Sequence, residues 1–146
     1  MRRLLLILSI TVSTTFLFGQ TSNQWKIAAS GFDPSNYYGI TVANGMIGVV
    51  SSPEPFKVKD VVLAGAYDLY GRGRVSNFLK SFNLLNAYLE IDGRRMDAKN
   101  VTNMKQELDM QNASFTTSFD YGDKATVTYT YYSLRQLPFT VLMDVS

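Results

Sequence analysis

Neither cysteine nor histidine occurs anywhere in the 146 residues. Without thiols there is no disulfide framework, no thiolate metal site and no cysteine nucleophile. Without imidazole there is no near-neutral general base of the usual kind, no Ser-His-Asp arrangement and no histidine metal site. Chemistry in this chain would have to rest on carboxylates, lysines or tyrosines, and no metal or other cofactor is expected. Charge is also thin, at 18% of residues, with 14 basic against 12 acidic side chains.

The N-terminus reads as an export signal. Arg2 and Arg3 precede an apolar stretch from Leu4 to Phe18, and Gly19 is a small residue at a plausible cleavage point. The stretch is short for a bilayer span and carries several hydroxyl residues, so cleavage is expected rather than retention as an anchor. With no cysteine following it, a lipoprotein is excluded. The expected location is periplasmic or extracellular, with no membrane attachment after cleavage. Removing Arg2 and Arg3 leaves twelve basic against twelve acidic residues. A neutral chain offers no electrostatic reason to bind nucleic acid or anionic lipid, and points to an uncharged ligand or none.

Behind the signal (1–19) and a short lead-in (20–31), residues 32–146 make about one small domain without repeats or linkers. Their periodicity is that of strands. Ile40–Ala43 and Met46–Val50 flank Asn44-Gly45, a pair suited to a type I′ turn, in which both central residues need positive φ. Val61–Tyr67 reads as a buried strand. Ala87–Ile91 runs into Asp92-Gly93, a second turn pair. Phe115, Thr117 and Phe119 alternate with Thr116 and Ser118. After Tyr121-Gly122-Asp123, Ala125, Val127, Tyr129 and Tyr131 alternate with Thr126, Thr128, Thr130 and Tyr132. Valine, threonine and tyrosine at this density suit a half-buried pleated surface. A helical turn fits only Val75–Leu85. Many short strands between turn signals predict an all-β fold, an antiparallel β-sandwich. The last run places Phe139, Val141, Met143 and Val145 on one face up to Ser146, and such a strand needs a neighbour. The expectation is therefore that the domain continues beyond this chain.

Several patterns invite a chemical reading. Asp92-Gly93-Arg94-Arg95 suggests an anion clamp, but adjacent strand residues point to opposite faces, so a solvated hairpin is the better reading. Gly71-Arg72-Gly73-Arg74 lacks the third glycine and the strand–turn–helix setting of a nucleotide loop. Paired carboxylates are the tools of glycoside cleavage, and Asp33, Asp60, Asp68, Glu90, Glu107, Asp109, Asp120 and Asp123 are the candidates. Their settings read as solvated surface. Trp25, Tyr37, Tyr38, Tyr67 and Tyr70 have ring faces suited to the C–H faces of pyranoses, although nine tyrosines are expected as core and cross-strand pairs in any strand-rich chain. Asn100-Val101-Thr102 and Asn112-Ala113-Ser114 match the short glycosylation pattern.

The order of motifs carries more. Phe32-Asp33-Pro34, Asn44-Gly45-Met46-Ile47-Gly48-Val49, Ala64-Gly65-Ala66-Tyr67-Asp68, Leu89-Glu90-Ile91-Asp92-Gly93, Gln106-Glu107-Leu108-Asp109-Met110 and Tyr132-Ser133-Leu134 follow one another along the chain. The series resembles the N-terminal domain of glycoside hydrolase family 65, which contains maltose, trehalose and kojibiose phosphorylases, acid trehalases and related α-glucosidases. Two positions depart from the pattern: Ala43 stands where a glycine is frequent before Asn-Gly, and Gln111-Asn112 where a glycine turn is common. The resemblance implies a large antiparallel sandwich followed by an (α/α)₆ barrel that carries the catalytic glutamate of an inverting mechanism. No catalytic residue is carried over to this chain. Asn44, Gly45, Gly48, Gly65, Leu108, Asp109 and Met110 read as structural: a tight turn and a crowded strand at the glycines, and Leu108 and Met110 in the core.

An exported chain favours water over phosphate as the acceptor, so the parent activity expected is hydrolysis of an α-glucoside rather than its phosphorolysis. Two readings compete with that of a non-catalytic front domain. One is a free-standing carbohydrate-binding sandwich, with Trp25, Tyr67 and Tyr70 as stacking candidates. The other is a purely structural domain that packs against a partner subunit, a homo-oligomer included.

Overall fold

The computed structural model describes residues 23–65, 83 and 85–146. The expected signal, Tyr67, Tyr70, the Gly71–Arg74 loop and nearly all of the helical option at 75–85 lie outside the described residues. Within them the chain is built of antiparallel strands, with no α-helix.

The strands are β1 (Lys26–Ser30), β2 (Thr41–Ala43), β3 (Ile47–Ser51), β4 (Val58–Leu63), β5 (Glu90–Ile91), β6 (Arg94–Arg95), β7 (Thr102–Asp109), β8 (Ser114–Tyr121), β9 (Ala125–Ser133) and β10 (Val141–Val145). Five form one sheet in the order β1-β7-β8-β9-β10, three form a second in the order β2-β3-β4, and β5-β6 is a two-stranded hairpin. The larger sheet presents rows of side chains to the smaller one. Ile27, Leu108, Phe115, Tyr131 and Met143 share one row, and Ala29, Gln106, Thr117, Tyr129 and Val145 the next. Facing them are Val42, Ile47, Val49, Val58 and Val61, together with Phe56 from the β3–β4 connection. The predicted alternation in β8 and β9 is the core-facing pattern seen, because a two-residue period on a half-buried sheet puts every second side chain inside.

Aromatic rings fill the centre. Tyr129 stacks on Phe56 with centroids 4.5 Å apart, and Phe119 and Tyr131 meet Tyr129 edge-on at 6.5 and 5.7 Å. These offset and edge-on arrangements suit the ring quadrupoles. Five strands are wider than three, so the larger sheet overhangs the smaller. Ile27, on the core-facing row of edge strand β1, is consequently 57% exposed.

Three expectations are corrected. The lead-in 20–31 contains β1, a full member of the large sheet; Lys26-Ile27-Ala28-Ala29-Ser30 was missed because its side chains are all exposed and show little alternation. The strand expected at Val61–Tyr67 begins earlier, at Val58, and ends at Leu63. The Asn44-Gly45 turn is displaced by one residue: Asn44 N–H donates to the Ile47 carbonyl at 3.1 Å, so Gly45 and Met46 are central and only Gly45, at φ 91°, is left-handed. Asn44 serves as the anchor instead, its Oδ1 accepting from the Met46 and Ile47 amides at 2.9 Å. Asp92-Gly93 is the pair with both central φ values positive, at 53° and 71°, as a type I′ hairpin between β5 and β6 requires.

Candidate functional site

The features with the most shape lie where β1 hands over to β2. After Ser30 the chain turns at Gly31, with φ 71°, and enters a short 3₁₀ turn at Pro34–Asn36. Asp33 caps that turn: its Oδ1 accepts from the Ser35 amide at 2.9 Å and the Ser35 hydroxyl at 2.6 Å. These bonds favour the ionised carboxylate and hold its pKa below the usual value. Phe32 then folds back onto Tyr37, edge to face at 5.8 Å.

Beneath this loop a polar chain joins the two sheets. Tyr37 O–H donates to Gln106 Oε1 at 2.5 Å, and Gln106 Nε2 donates to the Ser52 carbonyl at 2.8 Å. With the phenol proton committed to Gln106, the Ser51 hydroxyl 2.6 Å away must donate to the Tyr37 oxygen. Half-burial raises the Tyr37 pKa against these two hydrogen bonds. Gln106 is almost wholly buried, and its polar atoms are tolerated there because this chain satisfies them. Gly39 makes the close approach feasible: a Cβ at that position would lie 2.5 Å from the Ser51 carbonyl oxygen. Gln106 could have been suspected from its place between Met104 and Leu108 on an apolar face. Gly39 gave no local signal, because its constraint comes from a strand it pairs beside rather than from a turn.

The loop and β7 leave two adjoining depressions. One, of about 340 Å³, is bordered by Phe32, Asp33, Asn36, Tyr37 and Tyr38, with Gln106 reaching its floor. The other, of about 630 Å³, runs between Phe32, Pro53, Ala98 and Val101–Lys105. Ser30, Gly31 and Phe32 border both. Part of the second wall is shaped by an irregularity in β7 between Thr102 and Lys105, where Asn103 takes φ 53° and its side-chain Nδ2 donates to Asp120 Oδ2 at 2.8 Å.

The sequence-nominated residues are scattered over the fold. Trp25 sits at the opposite end of β1 from Tyr38, in the 3₁₀ turn Asn23–Trp25, and its carbonyl accepts from the Met110 amide at 2.8 Å. Met110, expected in the core, is 44% exposed because it lies one residue past β7, where the strand has begun to turn. Leu108 packs against the core, and Asp109 closes the β7–β8 turn by accepting from the Gln111 and Asn112 amides at 3.0 Å. Asn44 ties its hairpin to the start of the β9–β10 connection through a 2.7 Å bond from Nδ2 to the Leu134 carbonyl. Gly48 is buried but not cramped, since a Cβ there would meet Ala43 and Val62 at ordinary contact distances. Gly65 takes φ 78° just after β4.

Among the described carboxylates every resolved pKa shift is downward. Glu107 is held down by hydrogen bonds from Lys26 at 2.9 Å and Lys105 at 3.2 Å, Asp109 by Asn112, Asp120 by Asn103 and Thr126, and Asp92 by its bond with Lys124. A general acid for glycoside cleavage needs the opposite shift. These groups act as turn caps and surface pairs. Because their folded-state pKa values lie below the unfolded ones, the stability they contribute is present above about pH 4 and is lost as pH falls through the folded values. Urea titrations should give a constant midpoint from pH 7 to 5 and a falling one below about pH 4. Glu107→Gln should flatten part of that fall; an unchanged acid limb in the variant would remove Glu107 from the account.

No family model matches the chain. Two curated relatives do. The kojibiose hydrolase of Mucilaginibacter mallensis is 72% identical over 127 residues, which cover 87% of this chain. The kojibiose hydrolase of Flavobacterium johnsoniae is 55% identical over 133 residues, which cover 91%. The chain belongs to glycoside hydrolase family 65. It spans 19% of the length of either relative, so the sandwich described here corresponds to a small part of a family 65 protein. Within that part, Asn44, Gly45 and Asp109 shape turns, and the depressions at Phe32 and Tyr38 are the family 65 chain's open, mixed-polarity surface among the described residues.

Proposed function

We propose that this chain is the front accessory sandwich of an exported family 65 enzyme that hydrolyses α-glucosides, with kojibiose as the first substrate to test. The observation that carries the proposal is 72% identity to a protein named kojibiose hydrolase across nearly all of this chain but a fifth of that protein. The sandwich itself is non-catalytic in this reading: Asp33, Asp92, Glu107, Asp109 and Asp120 are held in turn caps and ion pairs that keep them ionised, and the general acid belongs to an (α/α)₆ barrel elsewhere in the polypeptide. Export fits Met1–Gly19 as a cleaved signal. It also fits water as acceptor, since a phosphorolytic enzyme depends on abundant phosphate and conserves a sugar phosphate, which serves a cell interior.

The test is to express the full reading frame and follow kojibiose by proton NMR. Glucose should appear with inverted anomeric configuration at a rate indifferent to inorganic phosphate, as expected when water attacks the face opposite the leaving group. Phosphate-dependent release of glucose 1-phosphate would replace the hydrolase with a phosphorylase. Absence of both products would end the reading.

A further inference from the structure

The adjoining depressions at Phe32 and Tyr38 have properties that the accessory role does not use. Tyr38 is 87% exposed, and among the described residues nothing hydrogen-bonds its hydroxyl. A large ring held that far into water gains nothing for the fold, and an amphipathic ring of this kind is characteristic of a contact surface. Beside it, the Asn36 side-chain amide and Asp33 Oδ2 have no hydrogen-bond partner among the described residues, whereas the Asn36 N–H donates to the Asp33 carbonyl at 3.1 Å and Asp33 Oδ1 is fully used by Ser35. The backbone beneath is stiffened by the Asp33 cap and by the Ser51–Tyr37–Gln106 chain. The ring and the polar groups are therefore presented on a braced loop, at little ordering cost to a ligand. The two depressions, of about 340 and 630 Å³, are in the size range of small-ligand sites.

We propose that this groove is a saccharide-binding subsite, with the Tyr38 ring stacking on the apolar face of a pyranose and Asn36 and Asp33 hydrogen-bonding its hydroxyls. The chemistry selects a neutral glucan chain. Stacked C–H faces need an open aromatic ring, and vicinal hydroxyls need an amide and a carboxylate oxygen that are not already engaged. Among the described residues the charge lining the Tyr38 depression is the negative Asp33, which disfavours sugar phosphates and other anions there, while Lys105 in the other depression is paired with Glu107. The subsite rests on the α-glucoside reading above. It would hold a remote part of a longer α-glucan while another part of the enzyme acts on its end.

The test uses the full-length enzyme in native gels containing soluble dextran or amylose. Retardation should be clear for the wild type and weaker for Tyr38→Ala by on the order of tenfold in apparent Kd, the loss of one stacking contact. Tyr38→Phe should keep most of the retardation, because the ring and not its hydroxyl makes the contact. Asn36→Ala should weaken it to a lesser degree. The melting temperature of Tyr38→Ala should equal that of wild type, since the side chain touches almost nothing. Equal retardation of Tyr38→Ala and wild type would overturn the proposal. So would a lowered melting temperature with retardation unchanged, which would place Tyr38 against another part of the polypeptide. Wild-type kojibiose hydrolysis measured on the same preparation separates the two readings: hydrolysis without retardation defeats the subsite alone, and no hydrolysis defeats the parent activity.

Discussion

Gly39→Ala should be among the most disruptive single-methyl additions to this domain, costing about 3 kcal/mol or more. The added Cβ would lie 2.5 Å from the Ser51 carbonyl oxygen, 2.9 Å from Val50 Cγ1 and 3.1 Å from Ser51 Oγ. Two of the three atoms belong to Ser51, and its carbonyl cannot retreat without moving β3. Ser51 N–H donates to the Ile40 carbonyl at 2.9 Å, and its hydroxyl is bonded to Tyr37. Backing away from the methyl would therefore strain the backbone pairing at the start of β2 and the polar chain to Gln106 together. Pulse proteolysis of the full-length protein across a urea series, read by mass spectrometry at cleavage sites within this sandwich, checks it. The variant should be cleaved at markedly lower urea than wild type, whereas Gly48→Ala, with only ordinary contacts awaiting its methyl, should shift far less. Similar shifts for both would mean that the β2 entrance relaxes freely.

Tyr129→Ala should cost about 3–5 kcal/mol, the range for removing a large buried aromatic. The ring sits at the centre of the aromatic cluster, stacked on Phe56 and edge-on to Phe119 and Tyr131. Its hydroxyl has a separate role, accepting from the buried Phe56 amide at 3.1 Å. Phe56 is held at φ 57°, a left-handed conformation costly for a residue with a Cβ, so its amide has few other ways to find a partner. Tyr129→Phe should therefore cost about 1–3 kcal/mol, the penalty of a buried donor left unpaired. Tyr131→Phe is the matched control. Tyr131 is just as buried, but its hydroxyl has no hydrogen-bond partner among the described residues, and its removal should be neutral or stabilising. The same proteolysis series reads all three variants. Equal losses for the two Tyr→Phe changes would show that the Phe56 amide bond contributes nothing specific.

Local alternation made the interior of the large sheet legible. Phe115, Thr117, Phe119, Val127, Tyr129 and Tyr131 are buried because a period of two on a one-sided sheet leaves no other arrangement. Asp92-Gly93 was legible for a similar reason, since a two-residue hairpin turn demands positive φ from the pair within it. The Asn44-Gly45 turn was legible in place but not in phase. The Asn44 side chain bonds the Met46 and Ile47 amides, and that local competition moves the turn one residue on. Met110, expected in the core alongside Leu108, lies instead in the turn that Asp109 caps, where β7 has ended.

The sequence alone determined an all-β, antiparallel chain, the alternating core of β8 and β9, and the absence of thiol and imidazole chemistry, because those follow from residue types and nearest-neighbour spacing. Only the tertiary structure decided the rest. Lys26–Ser30 is a strand because β7 pairs with it, Gly39 is obligatory because Ser51 lies beside it, and Gln106 can be buried because Tyr37 and Ser52, from distant stretches, satisfy it. Tyr38, one of many tyrosines in the sequence, stands out only once the fold places it beside a groove with Asn36 and Asp33. The pairing of β1 and the burial of Gln106 depend on partners tens of residues away, and no local period or motif encodes which distant segment will arrive.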